Sequence, residues 1–409
     1  MANHAPMPLG VVEGFFGELW AGNAQRRQPG FRGKLFAMTL LCASVFSMIG
    51  CDRSDSGKRN AQLGEQAHDK KVLNLYIWAD YLAPDTIASF EKLTGIKVRV
   101  AYFETNETLE ARMLTGNSGF DVVVPTAPYF QRQIRSGAYR RLDKKQLPNL
   151  VNLDPAIMAR AALNDPGNEH GIVYTWGTFG IGYNKAKVAE ALPGVSLDGW
   201  RLIFDPAIAA KLAPCGINML DAPAGVVRLV LQYLGKNPNA PSAQDLADVD
   251  RLLTKIRPYV RNIDSSIGIE ALANGDVCIA LEYNGSVYQA RQRAQSAKNG
   301  IQIDYMIPRE GSLLWFDMLA IPKDAPNVAN AHLFMNFLMN PPIIARISNF
   351  IGFANANSAA SPLLDASIDA DAIVYPPPDQ QRRLFVQTED SPEQSRAMTR
   401  LWQKFKTAQ

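Results

Sequence analysis

Histidine and cysteine are scarce, with four of each scattered through 409 residues. Such scatter offers no cluster with the spacing of metal ligands. Charge of one sign is missing too. Lys and Arg number 42 against 39 Asp and Glu, and the net charge of +3 comes from well-mixed signs. No basic block or arginine-rich face points to nucleic acid. No Ser/His/Asp or Cys/His set and no phosphate loop can be assembled, so nothing in the chain supports an enzyme or asks for a cofactor. Repeats and low-complexity segments are absent as well. What remains is ordinary globular composition, 47% hydrophobic and 20% charged, enough for two or three domains.

The one pronounced apolar stretch lies near the N-terminus, in "RGKLFAMTLLCASVFSMIGC". A basic start leads into a run too short and too rich in small residues for a good membrane span. Residues 31–50 therefore read as an export signal, and "SMIGC" resembles a bacterial lipobox that makes Cys51 the lipidated first residue of the mature protein. A polar tether over 51–71 follows, with too little apolar surface to pack. Residues 1–30 do not suit a signal. Their "PLGVVEGFFGELW" resembles the opening of β-N-acetylhexosaminidase domains over about a dozen residues, but no barrel follows and no activity is inferred from it.

From residue 72 short apolar strands alternate with amphipathic helices. "VLNLYIW", "IKVRVAYF" and "FDVVVPT" read as strands; "APDTIASFEKLTG", "NETLEARMLTG" and "PYFQRQIRSG" read as helices. This order predicts an open parallel α/β sheet, whose ligands bind beyond the carboxyl ends of the strands. Trp78, Asp80, Tyr81 and Thr126 all fall at such ends. A second α/β lobe is expected from about "YTWGTFGIGYN", with "PREGSLLWFDMLAIP" as a strand crossing back. Two lobes joined by more than one crossing leave a cleft between them.

Several of these segments, in collinear order, resemble the periplasmic spermidine/putrescine-binding proteins of ABC transporters. They include "LNLYIWADYLAPDTIASFEKLTGIKV", "GFDVVVPTA", "NMLDAP", "LANGDVCIALEYNGS", "IPREGSLLWFDMLAIP" and "IGFANANS". The resemblance spans nearly the whole chain from residue 72. It implies a two-lobed periplasmic-binding-protein fold of type II, with 72–178 and 313–345 in lobe 1 and 179–312 and 346–409 in lobe 2. It further implies a monomer that closes by hinge bending on a polyamine and delivers it to an inner-membrane permease. A sensor with the same fold, or a monoamine or amino acid-like ligand, are the competing readings.

The ligand positions carried over from the family are Trp78, Asp80, Tyr81, Thr126, Tyr283, Ser286, Trp315, Asp317 and Phe353. The residue types suit an amine. A buried ammonium needs carboxylates and hydrogen bonds, and aromatic faces add cation–π attraction while packing the methylenes. One departure stands out. Family members carry a Glu shortly after "LDAP", where this chain has Ala224 and Gly225. The far end of the pocket therefore lacks its acid, with Asp221, Asp264 or Glu282 as possible substitutes, and an acid restored at 225 is expected to strengthen diamine binding. Glu282 precedes Tyr283 on a strand and should face the other way. Cys215 and Cys278 are the two cysteines left for the mature fold, and the oxidising compartment together with some putrescine-binding relatives implies a disulfide between them.

Overall fold

The computed structural model describes residues 71–408. The expected segments 1–30 and 31–50, Cys51 and the tether up to residue 70 lie outside the described residues.

The described strands are β1 (Val72–Trp78), β2 (Lys97–Phe103), β3 (Val122–Val123), β4 (Gly171–Asn184), β5 (Ile217–Met219), β6 (Asn262–Ile263), β7 (Ile279–Tyr283), β8 (Ile303–Met306), β9 (Ser312–Ala320) and β10 (Leu384–Val386). The main path runs β2-β1-β3-β9-β4-β7-β5-β6, with β10 on β9 and β8 on β4. The first half is the classical α/β pattern expected: β1 pairs in parallel with both β2 and β3. The sheet is mixed rather than wholly parallel, because β9 runs antiparallel to β3 and β4. β3 is also shorter than "FDVVVPT" suggested. Pro125 has no N–H to give the ladder, so pairing shrinks to Val122–Val123 and resumes as an isolated bridge from Thr126 to Asp317.

β4 holds the two lobes together. Residues 171–178 pair with β9, while residues 179–184 pair with β7 and β8. Its side chains are buried almost throughout, as befits a strand covered on both faces. Two large cores result. One contains Leu73, Leu75 and Ile77 of β1 with Phe90, Phe130 and Phe316. The other contains Ile181, Met219, Ile279 and Leu281 with Trp200 and Trp402. The expected assignment of 346–409 to the second lobe needs correction. Ile347, Ile351, Ala356, Ile368 and Val386 pack into the first core, and it is the last helix, Pro392–Thr407, that joins the second. Apolar periodicity records that such residues are buried but not against which sheet.

Helix α1 (Thr86–Thr94) ends on Gly95 at φ 71°, a left-handed cap that favours glycine. α2 (Asn106–Leu114) is capped by Thr105, whose hydroxyl accepts from the Thr108 N–H. α3 (Ala127–Arg135) begins directly after Thr126, which makes no side-chain cap. A disulfide joins Cys215, just before β5, to Cys278, just before β7, with Cα atoms 5.4 Å apart. It pins together two neighbouring parallel strands of the second lobe.

Candidate functional site

A cleft of about 640 Å³ lies between the lobes, lined from one side by Trp78, Tyr81, Thr126 and Asp317 and from the other by Phe179, Ala222–Gly225 and Tyr283. Its centre is Asp317 on β9, only 5% exposed. One carboxylate oxygen accepts from the Tyr81 hydroxyl at 2.7 Å, and the other from the Thr126 hydroxyl at 2.7 Å. Both donors are held in turn. Tyr81 shares a 3.1 Å bond with Thr175, and Thr126 receives a 3.0 Å bond from Asn106 Nδ2 while its own N–H donates to Asn106 Oδ1. Thr126 is free to serve Asp317 because it does not cap α3.

Desolvation pushes Asp317 up to about 6, partly offset by the Thr126 and Tyr81 hydrogen bonds. The acid therefore sits in a buried position with two donors, and among the described residues no cation pairs with it. Helices starting at Ala127, Pro223 and Asn284 present their first residues or caps to the cleft. Helix N-termini carry partial positive charge, so a cationic guest needs the lining acids, of which Asp317 is the most deeply buried.

Aromatic rings wall the carboxylate. Tyr81 lies 6.0 Å from Phe353, Phe353 meets Trp315 edge-on at 5.1 Å, Trp315 meets Tyr283 at 6.2 Å, and Tyr283 meets Phe179 at 4.7 Å. Trp78 is fixed at the mouth by its indole N–H, which donates to the Val124 carbonyl at 3.0 Å. Two glycines make room. A Cβ at Gly177 would collide with the Trp315 ring, and one at Gly285 with the Phe353 ring.

Of the residues expected from sequence, Trp78, Tyr81, Thr126, Tyr283, Trp315, Asp317 and Phe353 line this cleft. Asp80 and Ser286 are not among the lining residues. Asp80 is exposed at a surface turn with φ 53°, while Trp78 and Tyr81 on either side of that turn are tied to Val124 and Asp317. Ser286 is half-buried in the helix Asn284–Ala297. The expectation for position 225 also changes. A Cβ on Gly225 would come within 2.8 Å of the Phe179 ring, so an acid there meets a phenyl group before it meets a ligand.

Sequence reasoning missed Asn106, Thr175 and Phe179. Asn106 stands just past the end of β2 and was detectable by the strand-end rule that singled out Trp78. Phe179 is the point where β4 passes from one lobe to the other, and no local pattern marks it. Glu104 and Glu107 on the rim were also overlooked; Glu107 accepts from the Tyr129 hydroxyl.

The pattern of the bacterial extracellular solute-binding protein family matches residues 85–376. The chain belongs to this family. The solute-binding protein is 46% identical over 343 residues to a putrescine-binding periplasmic protein of Pseudomonas aeruginosa, covering 84% of this chain and 94% of the relative. It is 44% identical over 347 residues to a putrescine-binding periplasmic protein of Escherichia coli, again covering 84% and 94%. In structure it resembles the spermidine/putrescine ABC transporter substrate-binding protein of Streptococcus pneumoniae, with a TM-score of 0.73 at 25% identity, covering 82% of this chain and 99% of that one. A lipoprotein of Treponema pallidum superposes similarly, with a TM-score of 0.72 at 25% identity over 82% of this chain and all of its own. The solute-binding protein therefore has the two-lobed fold that the segment pattern implied.

Proposed function

We propose that this protein is the periplasmic binding component of an ABC importer for polyamines, holding the ligand in the interlobe cleft and passing it to a membrane permease. Its role is capture and delivery rather than catalysis. The observation that carries this reading is Asp317: a buried carboxylate, walled by Tyr81, Phe353 and Trp315, with no paired cation among the described residues. An ammonium supplies the missing charge, and the rings pack the methylenes beside it. The two putrescine-binding relatives favour a polyamine over the monoamine or amino acid-like alternative.

Closure of the lobes follows from differential contact: β9 carries Asp317 from one side while Tyr283 approaches from the other, so a ligand touching both stabilises the closed form. Lipidation at Cys51 would hold a monomer at the inner membrane near its permease, and metabolic palmitate labelling that is lost in Cys51→Ala tests this. For the ligand, calorimetric titration against putrescine, cadaverine, spermidine, agmatine and γ-aminobutyrate is decisive. Polyamines should bind and γ-aminobutyrate should not; the reverse order defeats the reading.

A further inference from the structure

Phe179 fills the space beside Gly225, so the far wall of the cleft has no acid at that position. It has one nearby. Asp221 lines the cleft between β5 and the helix Pro223–Tyr233, whereas Asp264 and Glu282, the other two possible substitutes, are not among the lining residues. The Asp221 backbone N–H donates to the Ser265 hydroxyl at 2.9 Å, and Ser265 lines the cleft as well.

The Asp221 carboxylate is already engaged. Trp402 Nε1 donates to its Oδ1 at 2.6 Å, and Lys406 Nζ donates to its Oδ2. Trp402 and Lys406 stand four residues apart on the last helix, Pro392–Thr407, and so share one face. Lys404, two residues before Lys406, turns instead to Asp250 at 2.6 Å. The far acid thus holds a primary ammonium, the same group that ends a polyamine. That ammonium is loosely kept. The Lys406 and Asp221 side chains are 32% and 34% exposed, and part-exposed pairs of this kind contribute little to stability. Nor does the helix depend on the pair for its place, because Met398, Leu401, Trp402 and Phe405 are buried in the second core.

We propose that Lys406 is a specificity-determining residue: its ammonium occupies Asp221 in the empty protein, and a ligand's second ammonium must displace it to reach the far wall. This rests on the polyamine reading of the cleft. The two ends of the cleft then differ in kind. Asp317 pairs with no cation among the described residues and takes a first ammonium without competition. Asp221 exchanges one ammonium for another, so its charge adds little net attraction. The cleft therefore separates diamines from monoamines less sharply than two lining acids of opposite lobes would allow.

The test is calorimetric titration at pH 7 of the purified protein, of Lys406→Gln and of the double variant Lys406→Gln with Asp221→Asn. The ligands are putrescine, cadaverine and spermidine, each set against butylamine. Lys406→Gln frees the Asp221 carboxylate for the ligand. The affinity ratio to butylamine should rise about tenfold for at least one of the three polyamines, a Coulomb gain discounted for the exposure of the acid. The double variant should lose that gain. A merely structural role for Lys406 would not make the change in ratio depend on Asp221. A ratio that rises for none of the three, or a rise that persists in the double variant, overturns the proposal while leaving the polyamine reading intact. If wild type binds none of the polyamines, both fall. Should Lys406→Gln fail to fold, Lys406→Met removes the same charge while keeping an apolar stem, and the same outcomes decide.

Discussion

Replacing Asp317 by Asn keeps the shape of the side chain and removes its charge. In the empty protein that charge is a burden. The carboxyl is raised from 3.8 to about 6 by desolvation, a cost of about 3 kcal/mol above pH 6 by linkage. The variant should therefore fold at least as well as wild type, less what is lost when one amide nitrogen faces the Tyr81 or Thr126 hydroxyl. Binding should suffer heavily. Truncating one partner of a buried charged hydrogen bond costs about 2–5 kcal/mol, or about 30- to several-thousand-fold in affinity. The pH profile gives a second signature. Only ionised Asp317 attracts an ammonium, so wild-type affinity should fall about tenfold per unit as pH drops below about 6. In Asp317→Asn that limb should vanish. Calorimetry with putrescine between pH 4.5 and 7.5, alongside thermal melts of the ligand-free proteins, measures both effects. Undiminished affinity in a folded variant refutes the assignment of Asp317 as the amine's counter-charge.

Three further outcomes follow from other parts of the molecule. Glu282 is raised from 4.5 to about 8 in the folded state. As pH climbs through that window the unfolded chain ionises and the folded chain does not, so the ligand-free protein should lose up to about 5 kcal/mol, and Glu282→Gln should flatten the loss in urea melts at pH 5 and pH 8. Gly285→Ala drives a methyl into the Phe353 ring; overpacking of this kind costs about 1–3 kcal/mol, and amine affinity should fall with the displaced ring. The Cys215–Cys278 bond spans 63 residues of sequence, so Cys278→Ser should lower stability by about 4 kcal/mol in chemical denaturation while leaving amine binding measurable.

Much of the fold was legible because periodicity reports burial directly. β1, β2, α1 and α2 fall where alternating and helical spacing placed them. Pairing partners were less legible, since a strand does not record its neighbours. The antiparallel course of β9 beside β3, the truncation of β3 at Pro125 and the return of residues 346–386 to the first core all depend on contacts distant in sequence. The site divides the same way. Strand ends pointed to Trp78, Asp80, Tyr81 and Thr126, of which Asp80 does not line the cleft, and the bonds that tie the site together reach Asp317 across 236 residues from Tyr81 and 191 from Thr126. The obstruction of position 225 by Phe179 needed coordinates altogether, because a missing acid in the sequence does not show what has taken its volume.

The central claim is that a polyamine places an ammonium on Asp317 within the aromatic wall. A crystal structure of the protein grown with putrescine tests it most directly. The account predicts closed lobes, one ammonium nitrogen about 2.7–3.0 Å from an Asp317 carboxylate oxygen, and methylenes against the rings of Trp315 and Phe353. Putrescine bound elsewhere, or lying in the cleft with its nitrogen away from Asp317, would contradict it.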